Sequence, residues 1–125
     1  MKKKLLFIED EKALRDVFQL FYTQMNYEVY TAAQASEGFE VCKKVRPDIV
    51  MLDYNLPGIN GIEIGRQIQS CPEEYGNPKL IVVTGSLFSP KEDLQKWREA
   101  CNIAAFFEKP FNFPDLSNKI VELLE

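Results

Sequence analysis

The stretch Pro47-Asp48-Ile49-Val50-Met51-Leu52-Asp53-Tyr54-Asn55-Leu56-Pro57-Gly58 sets four consecutive apolar residues between a turn signal and a carboxylate. Unbroken apolarity over so short a run marks a strand covered on both faces, as in the interior of a parallel sheet. Asp48, after Pro47, belongs to the turn that leads in, and Pro57-Gly58 to the turn that leads away. Asp53 stands where the chain leaves the sheet. An acid at the end of a buried strand carries a desolvation cost unless something partners it.

Three further runs match this one: Leu5-Leu6-Phe7-Ile8, Leu80-Ile81-Val82-Val83 and Ala104-Ala105-Phe106-Phe107. A fifth candidate strand, Tyr27-Glu28-Val29-Tyr30-Thr31, alternates polar and apolar residues, which suits the edge of a sheet. Helical spacing lies between the strands. Leu14, Val17, Phe18, Phe21 and Met25 share one face; Phe39, Cys42 and Val45 mark a second helix; Ile62, Ile64, Ile68 and Cys71 mark a third. Ser89-Pro90-Lys91-Glu92 reads as a helix start, followed by Leu94, Trp97 and Ala100 or Cys101. Asn112 caps a last helix, with Pro114 in its first turn and Leu116, Ile120 and Leu123 on its face. Strand then helix, repeated along the chain, predicts an α/β fold: a doubly wound parallel sheet with helices on both faces.

Composition narrows the chemistry. The chain has 125 residues, 46% hydrophobic and 27% charged, with a net charge of −4. We read it as one domain over residues 1–125, with no effector domain in the chain. It has no histidine, which excludes a Ser-His-Asp or Cys-His site, a His-ligated zinc and an imidazole base. The acidic balance argues against nucleic acid or an anionic membrane as a direct partner. No apolar run approaches the ~18 residues that mark a membrane span, and Lys2-Lys3-Lys4 leads into too short an apolar stretch for a signal peptide. Cys42, Cys71 and Cys101 are read as reduced thiols of a cytoplasmic protein.

In a doubly wound sheet, ligands bind beyond the carboxyl ends of the strands. The first strand exits into Glu9 and Asp10, the third into Asp53, the fourth into Thr84 and the fifth into Glu108 and Lys109. Two carboxylates ~4 Å apart repel by ~1–4 kcal/mol, so a rim carrying three calls for a cation. Few, hard oxygen ligands suit Mg²⁺ better than a Ca²⁺ cage. With a metal in place, a carboxylate can act as nucleophile toward a phosphoryl group, and a hydroxyl and an ammonium can hold the transferring oxygens.

These residues resemble the response-regulator receiver domain of two-component signalling. The resemblance rests on Phe7-Ile8-Glu9-Asp10-Glu11, Pro47 to Gly58, Ile81-Val82-Val83-Thr84-Gly85 and Phe106-Phe107-Glu108-Lys109-Pro110-Phe111, and covers essentially the whole chain. It implies a flavodoxin-like (βα)5 three-layer sandwich with strand order 2-1-3-4-5. It implies that Asp53 is the phospho-acceptor, and that Asp10, Asp53 and the Asn55 backbone carbonyl ligate Mg²⁺, with Glu9 acting through water. Thr84 and Lys109 match the hydroxyl and ammonium that meet the phosphoryl group, and Phe106 the aromatic switch. Lys109-Pro110 matches a peptide bond often cis in the family. The donor is then a sensor histidine kinase or phosphotransfer domain. The output is a downstream protein or effector domain reached through the helix after Ser89, strand five and the last helix. The chain acts as a monomer or a phosphorylation-dependent homodimer, and not as an enzyme on other substrates.

Plainer readings stand beside these. Asp10 is also a candidate cap for the first helix, with Glu9 or Glu11 serving its dipole. Thr84 is a good strand residue, Lys109 an ordinary surface lysine, and Phe106 core packing. Gly58 or Gly61 lets the loop backbone approach the site. Asn102, where the family commonly has glycine, tolerates a left-handed backbone. The competing functions are a binding module of this fold that signals without phosphorylation, and a nucleotide- or flavin-binding enzyme. The latter needs a Gly- or Ser/Thr-rich phosphate loop, whereas the first loop here is Glu9-Asp10-Glu11.

Overall fold

The computed structural model describes residues 2–85, 99 and 101–125. The helix expected after Ser89, with Ser86, Phe88, Leu94 and Trp97, lies outside the described residues. The elements are β1 (Lys4–Ile8), α1 (Lys12–Gln24), β2 (Glu28–Ala32), α2 (Ala35–Val45), β3 (Ile49–Asp53), α3 (Gly61–Ser70), α4 (Pro72–Tyr75), β4 (Lys79–Thr84), β5 (Ile103–Glu108) and α5 (Phe113–Leu124). All strand pairs are parallel, in the order β2-β1-β3-β4-β5. The alternating segment is β2, one of the two edge strands, as its pattern predicts.

Successive side chains on a strand point to opposite faces, so each apolar run divides between two cores. Leu6, Ile8, Val50, Leu52, Leu80 and Val82 pack with Cys42, Ile64, Ile68 and Tyr75 beneath α2 and α3. Leu5, Phe7, Ile49, Met51, Ile81 and Val83 pack with Phe18, Tyr22, Leu116 and Ile120 beneath α1 and α5. This double burial is why the runs of β1, β3 and β4 are continuous; the fourth run, Ala104–Phe107, is instead in the other edge strand, β5, where Ala104 is exposed and Phe106 and Phe107 are half-buried.

Caps locate the helix ends. Asn60 Oδ1 accepts from the Glu63 N–H at 3.0 Å and Asn112 Oδ1 from the Asp115 N–H at 2.9 Å. Asn112 and Pro114 thus begin α5 as expected. The residue before α1 is Glu11, with no side-chain cap, so Asp10 is not spent on the helix.

Several local expectations are corrected. On α1 the buried residues are Phe18 and Tyr22, whereas Val17 is 50% and Met25 44% exposed. The helix is rotated so that Tyr22, a residue the hydrophobic spacing passed over, reaches the core and bonds Ser117 Oγ at 2.9 Å. Cys71 is not on the face of α3 but at its end, where it leads into the unforeseen short helix α4. Among the described residues, non-glycine residues with positive φ are Asn26 and Arg46, not Asn102. The Asn102 backbone is instead clamped by the Gln69 side chain through two hydrogen bonds of 2.8 Å. The three cysteines are free, with Cys42 and Cys101 buried. Among the described residues no helix is long and apolar enough to cross a membrane.

Candidate functional site

Strand register builds the site. Ile8 lies opposite Leu52, Asp53 opposite Val83 and Thr84 opposite Glu108. The residues at or just beyond these ends, Glu9, Asp53, Thr84 and Lys109, therefore share one rim. Parallel pairing brings these ends level, with one register shift between β4 and β5 at Leu80/Ile81 that sets Thr84 opposite Glu108.

Glu9 is fully buried and Asp53 is 3% exposed, while Asp10 is exposed. Glu9, Asp10 and Asp53 each bring one carboxylate oxygen to within 4.8 Å of the others. Lys109 Nζ donates to Glu9 Oε1 at 2.6 Å and stands 3.5 Å from Asp53 Oδ2. Asp53 Oδ1 accepts from the Asn55 N–H at 3.1 Å. Glu9 Oε2 accepts from the Glu11 N–H at 3.1 Å. Thr84 is buried, and its carbonyl accepts from the Lys109 N–H at 2.7 Å. The Lys109-Pro110 bond is cis.

Burial pushes the Glu9 carboxyl up to about 7, against the pull of the Lys109 hydrogen bond and the Glu11 N–H; the nearby Asp53 charge and Asp10 add to the rise. Burial works to lower Lys109, but its bond to Glu9 and the charge of Asp53 outweigh it and hold the ammonium above its ordinary value. The cluster thus combines three acids with one ammonium. Its donors are hard oxygens, and the single ammonium leaves it short of positive charge. That set fits a small, hard divalent cation such as Mg²⁺.

The loop after β3 is packed tightly. The Tyr54 N–H donates to Val83 O at 2.8 Å and the Gly61 N–H to Tyr54 O at 3.0 Å. A Cβ on Gly61 would come within 2.9 Å of the Asp53 carbonyl oxygen and 3.1 Å of Tyr54 Cα. Gly61, rather than Gly58, is the glycine that this close approach requires. Gly58 has a φ of +81° with open space around it. Asn55 is exposed, and a Cβ on Gly85 would lie 3.9 Å from its Nδ2. A groove of about 430 Å³, lined by Glu11, Leu14, Gly85, Lys109, Pro110, Phe111 and Phe113, opens beside Lys109. Phe106 is half-buried and packs against the α2–α3 core.

The response regulator receiver domain family matches residues 5–121. The chain belongs to the response regulator receiver family. It is 26% identical over 124 residues to sporulation initiation phosphotransferase F of Bacillus subtilis, spanning 99% of this chain and 95% of that one. A CheY-like receiver domain protein from Methanospirillum hungatei superposes with a TM-score of 0.82 at 27% identity, over 98% of this chain and 93% of that one. The chemotaxis protein CheY4 of Vibrio cholerae shares the fold, with a TM-score of 0.86 at 23% identity over 98% and 99%. Receiver domains are phosphorylation-dependent switches of two-component systems, not enzymes in the ordinary sense. They work with histidine kinases or phosphotransfer proteins and downstream effectors, and as a family bind Mg²⁺.

The expected acids, Lys109 and Thr84 meet at one rim. Asn55 enters through its backbone N–H on Asp53. The reading from sequence missed the Glu11 N–H on the Glu9 carboxylate and the Arg15 side chain, whose Nη1 donates to Glu9 O at 2.8 Å. Neither has a local sequence signature, since each contact depends on how the β1–α1 turn folds back.

Proposed function

We propose that this receiver domain accepts a phosphoryl group on Asp53 from the phosphohistidine of a sensor histidine kinase or phosphotransfer domain. An Asp53 carboxylate oxygen forms the new P–O bond while the P–N bond of the donor breaks, and the electron pair leaves with the imidazole. Asp10, Asp53 and the Asn55 carbonyl would hold Mg²⁺, with Glu9 acting through water. Once bound, the ion supplies neutralisation of the charge gathered on the phosphoryl oxygens. Lys109 turns from the carboxylates to the phosphoryl oxygens, and the Thr84 hydroxyl donates to another. The observation that carries this reading is the convergence of the Glu9, Asp10 and Asp53 carboxylates around the Lys109 ammonium.

The same event supplies the signal. Movement of Thr84 toward the phosphoryl group frees space that Phe106 fills. The face formed by β5, α5 and the segment after Ser89, where the sequence predicts a helix, then changes, altering its fit to a downstream protein or effector domain. The chain works in the cytoplasm, as a monomer or a phosphorylation-dependent homodimer. Incubation with a small-molecule acyl phosphate and Mg²⁺ tests the assignment by mass spectrometry. One phosphoryl group per chain is expected, absent without Mg²⁺ and absent in Asp53→Asn. Labelling retained in Asp53→Asn removes Asp53 as acceptor.

A further inference from the structure

Every polar handle of Glu9 is held. Its N–H donates to Ala32 O at 2.9 Å, and its carboxylate accepts from Glu11 and Lys109. Its carbonyl accepts from Arg15 Nη1 at 2.8 Å. Arg15 is half-buried in the first turn of α1, where its own N–H bonds Glu11 O at 3.1 Å. Among the described residues it makes no ion pair. The guanidinium, a natural partner for carboxylates, is instead turned back onto a backbone oxygen at the rim.

That oxygen belongs to the planar peptide unit that joins Glu9 to Asp10. Fixing it fixes the direction in which the chain enters Asp10. The exposed Asp10 side chain lies beside Glu9 in the carboxylate cluster, so its direction depends on how the backbone delivers it there. We propose that Arg15 is a positioning residue for cation binding: it sets the Glu9–Asp10 peptide plane and so aims the Asp10 carboxylate at the site shared with Asp53. This rests on the Mg²⁺-binding reading above. The alternative effect of a nearby guanidinium has the opposite sign. If Arg15 acts only through its charge, it repels a cation, and removing it tightens binding.

Calorimetric titration of the full chain with MgCl2 decides between them. Arg15→Ala is expected to weaken Mg²⁺ binding about 10-fold, the usual scale for groups that orient metal ligands. Arg15→Lys keeps the charge and the stem but loses the planar fork, and is expected to fall between. The Mg²⁺ concentration for half-maximal acyl-phosphate labelling shifts by the same factor, while the rate at saturating Mg²⁺ stays near wild type. Without metal, the Glu11 amide exchanges faster with deuterium in Arg15→Ala. Lys12→Ala, which removes only the exposed Lys12–Asp16 pair of the same helix turn, leaves Mg²⁺ binding unchanged. Unchanged or tighter binding in Arg15→Ala, with labelling still abolished by Asp53→Asn, overturns the positioning role and leaves the phosphorylation reading standing. A wild-type protein that neither binds Mg²⁺ nor takes label overturns both.

Discussion

The Lys109 ammonium lies 2.6 Å from the fully buried Glu9 carboxylate, at the far end of a chain separation of 100 residues. It supplies part of the positive charge that the acid cluster demands. Lys109→Met is therefore expected to leave Glu9 and Asp53 facing each other without compensation. Stability in metal-free buffer falls by about 1–3 kcal/mol, less than for a fully buried pair because Lys109 keeps contact with solvent. Urea denaturation with and without MgCl2 checks this, and Mg²⁺ recovers most of the loss. Phosphoryl labelling of the same variant drops at least about tenfold even at saturating Mg²⁺.

Gly61→Ala tests the packing of the loop behind Asp53. The new methyl meets backbone, not a flexible side chain, so the loop must move. A loss of about 1–3 kcal/mol is expected, with slower labelling because Asp53 moves with its carbonyl. Gly58→Ala serves as the comparison: its cost is confined to the left-handed backbone, about 1 kcal/mol, and labelling is unaffected. Equal labelling defects in the two variants would contradict the steric argument.

Alkaline pH reports on the buried interior. Burial pushes Tyr22 from 10 up to about 12, partly offset by its bond to Ser117, and pushes Cys42 from 9 up to about 12. Both groups keep their protons longer in the folded chain than in the unfolded one. Their contribution is complete below about pH 9, and is lost as the pH rises through 12. Each group costs up to about 1.4 kcal/mol per pH unit within its own window. Urea midpoints measured from pH 8 to 11 should fall with a steepening slope, and Cys42→Ala should flatten the onset.

The same burial predicts thiol behaviour. Cys42 and Cys101 are buried, with thiols pushed up to about 12 and about 11, whereas Cys71 is partly exposed. At pH 8 one thiol per chain is expected to react quickly with iodoacetamide, and peptide mapping should place it at Cys71. The other two react only after denaturation.

Ser117→Ala addresses the contact that joins α1 to α5. It strands the Tyr22 hydroxyl in the core, which costs about 1–3 kcal/mol, whereas the double change with Tyr22→Phe recovers part of that loss. A double-mutant cycle by urea denaturation reads the coupling directly.

Sequence alone determined the succession of strands and helices, because a strand buried on both faces needs an unbroken apolar run and alternation marks an edge, although the edge strand β5 carries an unbroken run of its own. Ile49–Leu52 and Leu80–Val83 carry the first signal and Tyr27–Thr31 the second. It also determined which residues reach the rim, since a carboxylate directly after a parallel strand has nowhere else to go. Rotation of α1 was not legible. Tyr22 is chosen over Val17 for the core because Ser117, 95 residues away, satisfies its hydroxyl. Nor was the hold on the site, Lys109 between Glu9 and Asp53 and Arg15 on the Glu9 carbonyl, nor the clamp of Gln69 on Asn102 at the opposite end of β5. These are hydrogen bonds to particular atoms between elements distant in the chain or across a turn. Their geometry exists only once the sheet has set the elements side by side.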